Sequence, residues 1–203
     1  CLLILTVGHA QNYTEYFANK TLRVDYIFTG DASCQNVCLD ELSVLPSWAG
    51  RHQHLAELPL QGNGQIIMKD LESGKTVYTT SFSSLFQEWL ETDEAKVVSK
   101  GFENTFLLPY PLRPVEIEIT LLSPRKEVRT CLKHTVRPDD VLIHQKGTAH
   151  ITPHKYLLKS GETDKCIDVA ILAEGYTPAE MDVFYQDAEI ACKSLFSHEP
   201  FKS

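Results

Sequence analysis

No stretch of this sequence gathers enough Lys and Arg to neutralise a run of phosphates, and 19 basic against 27 acidic residues leave a formal charge of −8. Nucleic acid and anionic membrane surfaces are therefore poor partners for it. Apolar runs stay far short of the ~20 residues that cross a hydrocarbon core, so no helical membrane span is expected. Glycine and proline, ten of each, are scattered singly and build no low-complexity linker. Tryptophan and methionine are scarce at two each, yet nine Phe and eight Tyr help bring the apolar content of the 203 residues to 43%. That is enough to fill a packed core, and it excludes intrinsic disorder.

The sequence begins without Met on an apolar run from Cys1 to Val7 that closes in Gly8-His9-Ala10. Small residues there suit a signal peptidase, so residues 1–10 read as the remnant of a secretory signal, with cleavage before Gln11 and export to the periplasm, cell surface or medium. A buried first strand is the rival reading. Cys1 does not directly follow a cleavage site, so a lipid anchor has no support. The remaining cysteines, Cys34, Cys38, Cys131, Cys166 and Cys192, are odd in number. Cys34 and Cys38 are also spaced wrongly for a redox or zinc knuckle; free buried thiols are expected ahead of one disulfide or a metal site.

From Lys20 to about Ser160 the dominant period is two. Leu22, Val24, Tyr26 and Phe28 alternate with Arg23, Asp25 and Thr29, and Val115, Ile117, Ile119 and Leu121 alternate with Glu116, Glu118 and Thr120. Turn chemistry separates such runs at Gly62-Asn63-Gly64, Glu72-Ser73-Gly74-Lys75 and Ser123-Pro124-Arg125-Lys126, the last ahead of Val128, Cys131 and Val136. Further strands are expected at Gln65–Asp70, Thr76–Phe82, Phe102–Leu108, Val141–His144 and Lys155–Lys159. Seven or eight short strands with regular turns predict a mainly β protein, an antiparallel β-sandwich over residues 11–160. One interruption has helical spacing: Phe82, Leu85, Phe86, Trp89 and Leu90 predict a short helix capping the sandwich.

The pattern changes after Gly161. Cys166–Ala173 is almost continuously apolar, as a strand covered on both faces would be, and Glu174-Gly175-Tyr176 turns out of it. Thr177, Pro178 and Glu180 spell a helix start with a capping box. Met181, Phe184, Tyr185, Ala188, Ala191 or Cys192, Leu195 and Phe196 then form one apolar stripe. Residues 161–203 thus read as the first β-strand and α-helix of an α/β domain, incomplete because such a strand needs neighbours on both edges.

A search for chemistry in the residues themselves finds no complete site. A helical zinc site needs His-Glu-x-x-His, so that two imidazoles and a base converge on one ion. His198-Glu199 begins that pattern, but position 202 is Lys and Pro200 opposes a helix. His150 and His154 have the spacing without the Glu, and on a strand they would stand roughly 13 Å apart. His52 and His54 would share a strand face, with Arg51 beside them to repel a cation. Gly62-Asn63-Gly64 lacks the third glycine of a dinucleotide fingerprint, and no Ser sits in a nucleophile elbow. Glu174 occupies the strand edge where α/β folds place active sites, yet it stands alone. No catalytic, metal-binding or cofactor-binding residue is assigned in this chain.

Five blocks carry a family resemblance: Thr21–Tyr26, Leu45–Arg51 (Leu-Pro-Ser-Trp-Ala-Gly-Arg), Ser81–Trp89, Ala173–Thr177 and Leu195–Phe201. In this order they resemble the secreted zinc metallopeptidases of the IgA peptidase type, metallopeptidase family sixty-four. The resemblance implies an N-terminal β-sandwich accessory domain followed by the start of a zincin-like catalytic domain, at Ile167–Ala173 and Pro178–Phe196. It implies zinc in the complete parent protein and no cofactor in this chain, because the paired His and Glu base would lie beyond Ser203. The expected partners are the downstream catalytic domain, on which the sandwich would pack, and a protein substrate that it would help present. The alternative is a stand-alone secreted binding module for a glycan or host protein, with the aromatics near Trp48 or Trp89 as its platform.

Overall fold

The computed structural model describes residues 12–58, 60–147, 152–162 and 166–202. The leader reading on residues 1–10 lies outside them. Two compact units divide the chain near residue 150. In chain order the first holds α1 (Tyr13–Tyr16), β1 (Phe17–Gly30), β2 (Gln35–Leu45), β3 (Gly64–Asp70) and β4 (Thr76–Phe82). There follow α2 (Leu85–Trp89), β5 (Lys100–Pro111), β6 (Val115–Leu122), β7 (Val128–Val136) and β8 (His144–Gln145); the second unit holds α3 (Met181–Leu195).

The first unit is the expected sandwich. One sheet has the order β5-β1-β2-β8 and the other β4-β3-β6-β7. Every pairing is antiparallel except the short parallel contact of β8 with β2. Alternation sets the inner faces: Leu22, Val24, Tyr26 and Phe28 from one sheet meet Ile66, Met68, Ile117 and Ile119 from the other, all inaccessible to solvent. Phe82 of β4 lies 4.5 Å, ring to ring, from Phe106 of β5, so aromatic contacts cross between the sheets.

The hairpin turns follow the sequence. Gly74 joins β3 to β4 at φ +67°, a left-handed conformation that glycine adopts without strain, and the Asp70 carboxylate accepts from the Ser73 amide and hydroxyl.

The strands differ from the expected set at several places. β2 was not recognisable as a strand, because Asp40 is an extra residue opposite the Asp25/Tyr26 step and the bulge reverses the alternation. Val37 points inward before it, and Leu42 and Val44 after it. Val141–His144 is mostly a turn: Val141 and Leu142 are exposed, Ile143 alone plugs the core, and only His144 begins a strand. Lys155–Lys159 is irregular and largely exposed, with Leu157 half-buried, and no strand pairs with it among the described residues. The helix after β4 is also shorter than its spacing suggested. Phe82 remains in β4, Ser84 caps α2 by accepting from the Gln87 amide, Phe86 is fully buried, and Leu85 faces solvent.

In the second unit α3 forms with the expected stripe, burying Phe184 and Ala188 and half-burying Met181, Tyr185 and Cys192. Its entry is the expected capping box: the Glu180 carboxylate accepts from the Thr177 amide at 2.9 Å and from its hydroxyl at 2.6 Å. Thr177→Ala should cost the helix about 1 kcal/mol and speed amide exchange in its first turn, with exchange in the sandwich unchanged.

The predicted strand Cys166–Ala173 is not a strand among the described residues. No segment supplies a ladder of backbone partners, and Ile167, Val169 and Leu172 lie exposed. An apolar run encodes the need for neighbouring strands without providing them.

Candidate functional site

The sequence-nominated histidines do not converge. His52 and His54 share no strand face, because both lie in the irregular crossing from β2 to β3. His52 stacks on Tyr13 with ring centroids 4.2 Å apart. His54 is exposed at φ 53°, its Nδ1 2.9 Å from Glu57 Oε1. His154 is exposed beside Tyr156, and its proposed companion His150 lies outside the described residues. His198 follows α3 in a turn, with Nδ1 2.8 Å from the Ser194 carbonyl oxygen, so His198-Glu199 is no part of a zinc helix. Glu174 is exposed in the turn before α3.

Among the described residues, no three His, Cys, Asp or Glu side chains gather as a metal-binding group would require. The described side chains therefore do not fit a zinc ion. The cysteines are free, but the expectation that they are buried fails. Cys34, Cys38, Cys131 and Cys166 are exposed and Cys192 is half-buried. The inward positions of β2 and β7 are taken by larger apolar groups such as Val37 and Leu132, which leaves Cys38 and Cys131 on the outward sides.

Two shallow depressions mark the sandwich. One, of about 370 Å³, is bordered by Asp31, Ser33, Lys96 and Ser99. The Asp31 carboxylate accepts from Ser33, from the Cys34 amide and from the Ser99 hydroxyl, bonds that hold it well below the usual carboxylate range. The other, of about 410 Å³, is bordered by Asp70, Glu72, Arg113 and Arg137. Asp70 is buried and likewise held low, chiefly by the Ser73 hydroxyl and amide, with the Arg113 guanidinium 3.8 Å away. Carboxylates this firmly ionised are acceptors that fix turns, and they are poor proton donors.

The aromatic blocks serve the core. Trp48 is 9% exposed, packs edge-on against Tyr78 and donates through Nε1 to the Arg51 carbonyl. Trp89 is half-buried between Phe86 and Phe102, with the Lys100 ammonium over its ring. Neither offers an open ring as a platform. Sequence reasoning missed two polar centres that organise this interior. Arg51 donates to the carbonyls of Leu55 and Thr79 and lies over the Tyr78 ring. Tyr26 and His134 pair inside the sandwich, 2.6 Å apart. The available signal for the second was a lone histidine at an inward position, between Leu132 and Val136.

In the second unit the segment before α3 is laid along the helix. Tyr176 packs edge-on against Phe184 and donates to Asp187, and Lys155 pairs with Glu189 while lying over Tyr185. These contacts use the inward stripe and leave Val183 and Ile190 exposed on another side. The apolar segment Ile167–Leu172 remains exposed with them.

Comparison with known families gives two matches. Residues 12–133 match the family model described as Peptidase M64 N-terminus, and residues 156–203 match the one described as IgA Peptidase M64. Comparison with curated proteins gives no match.

Proposed function

Because this chain belongs to the M64 peptidase family, carrying its N-terminal region and the start of its IgA peptidase region, we propose that the sandwich is a non-catalytic accessory domain. It packs on the catalytic domain of a secreted zinc metallopeptidase and helps present a protein substrate to it. Zinc is held in the complete peptidase by residues other than those described here. The exposed apolar segment at Ile167, Val169 and Leu172 carries the reading, because it lies within the part of the chain that resembles a peptidase. Burying each of those side chains against neighbouring strands would contribute roughly 1.5–3 kcal/mol.

The test compares the 203-residue chain with a polypeptide that carries the same sandwich and a complete M64 catalytic domain. The longer protein is expected to cleave protein substrates and to lose that activity on chelation, while the 203-residue chain is inactive. Chelator-sensitive proteolysis by the 203-residue chain would overturn the assignment of the sandwich as non-catalytic. A longer protein whose activity survives deletion of residues 12–147 unchanged would remove its accessory role.

A further inference from the structure

Tyr26 on β1 and His134 on β7 belong to different sheets and lie 108 residues apart in sequence, yet the Tyr26 hydroxyl and His134 Nε2 are 2.6 Å apart. Their rings meet edge to face with centroids separated by 5.7 Å, and Phe106 closes the other side of Tyr26 at 6.0 Å. Tyr26 is inaccessible to solvent. His134 Nδ1 is buried with no hydrogen-bond partner.

We propose that this pair is an acid-sensitive latch between the two sheets, stabilising while the imidazole is neutral and destabilised when the imidazole takes a second proton. In either neutral tautomer Nε2 and the phenol share one proton along their bond. The cation carries an N–H on both nitrogens: Nε2–H still finds the phenol oxygen, but Nδ1–H has no acceptor, and the charge sits in an apolar interior.

Among the described residues of the sandwich, the acidic groups lie elsewhere. On β7 itself Lys133 points outward to Glu118, and Arg129 is exposed. Glu116 and Glu118 of β6 lie on the outward side of that sheet. On β1, Arg23 and Asp25 pair with each other. Asp40 of β2 is exposed and Glu41 is engaged by Lys146, while Lys100 and Glu103 of β5 are also exposed. Burial alone accordingly lowers the His134 pKa from 6.5 to about 4.

The direction of the pH effect follows. A base whose folded pKa is depressed binds more protons when unfolded, so the latch contributes fully above pH 6.5 and is lost as pH falls toward 4. Most of that window lies above the range in which carboxylates take up protons.

Urea unfolding of the 203-residue chain, followed by Trp48 and Trp89 fluorescence, should give a folding constant that falls roughly 20-fold between pH 7 and pH 5. In the double variant Tyr26→Phe, His134→Phe, which keeps an aromatic ring at each position and removes both polar groups, the constant should change less than about threefold over the same range. An equal decline in the double variant would overturn the latch. So would a His134 imidazole titrating above pH 6 in an NMR titration of the unmodified chain, a measurement that does not depend on any variant folding.

Discussion

Phe28→Ala is expected to destabilise the sandwich by about 3–5 kcal/mol, a large share of what a domain of this size retains. The Phe28 ring is inaccessible to solvent and joins three elements, with centroids 5.9 Å from Phe82, 6.1 Å from Phe86 and 6.2 Å from Phe106. Phe82 belongs to the opposite sheet and Phe86 to α2, so truncation opens a cavity where both sheets and the capping helix meet. Such a cavity cannot close by moving one side chain, because its walls are held by separate backbone ladders. A urea series should show an earlier midpoint with little change in slope. Leu85→Ala, one residue before Phe86 but solvent-facing, should shift stability by less than about 0.5 kcal/mol. Comparable losses in the two variants would mean that α2 does not seal the core at Phe86.

The second large effect is expected at Arg51, where Arg51→Ala should cost about 2–4 kcal/mol and Arg51→Lys should recover only part of it. The crossing from β2 to β3 runs beside β4, with the Thr79 amide donating to the Leu55 carbonyl at 2.8 Å. Arg51 donates to that same carbonyl at 3.1 Å and also to the carbonyl of Thr79, while its guanidinium lies 5.2 Å from the centre of the Tyr78 ring. One planar, permanently charged group thus ties the crossing to the edge of the second sheet and holds Leu55, 1% exposed, in the core. Lysine has one ammonium on a flexible stem and cannot reproduce the fork together with the stack. Limited proteolysis should cut Arg51→Ala first in the segment between His52 and Leu58. A variant as resistant and as stable as the parent would assign the clamp to Trp48 and Leu55 packing alone. The Leu45–Arg51 block, which reads in sequence like a family signature without chemistry, therefore has a structural explanation.

Much of this organisation was legible in individual segments. Alternation at Leu22–Phe28 and Val115–Leu121 identifies the inner faces of β1 and β6, and the Thr177/Glu180 capping box marks the start of α3. These features are local: a strand has period two, a helix has period 3.6, and a cap spans four residues, so each can be read from its own side chains. The absence of a completed zinc motif is local in the same sense.

The hidden features are those in which one segment's meaning depends on another. Asp40 looks like an ordinary acidic residue until its register against β1 makes it a bulge. Cys38 and Cys131 look like core thiols until their neighbours claim the inward positions. His134 looks like a lone histidine until Tyr26 arrives from the opposite sheet, and Cys166–Ala173 is apolar enough for a strand yet has no ladder to join. Sequence by itself determined the inward faces of β1 and β6 and the start of α3, through periodicity and capping chemistry. Tertiary structure alone decided which buried polar groups meet, because those pairings close loops as long as the 108 residues between Tyr26 and His134 and leave no pattern within either segment.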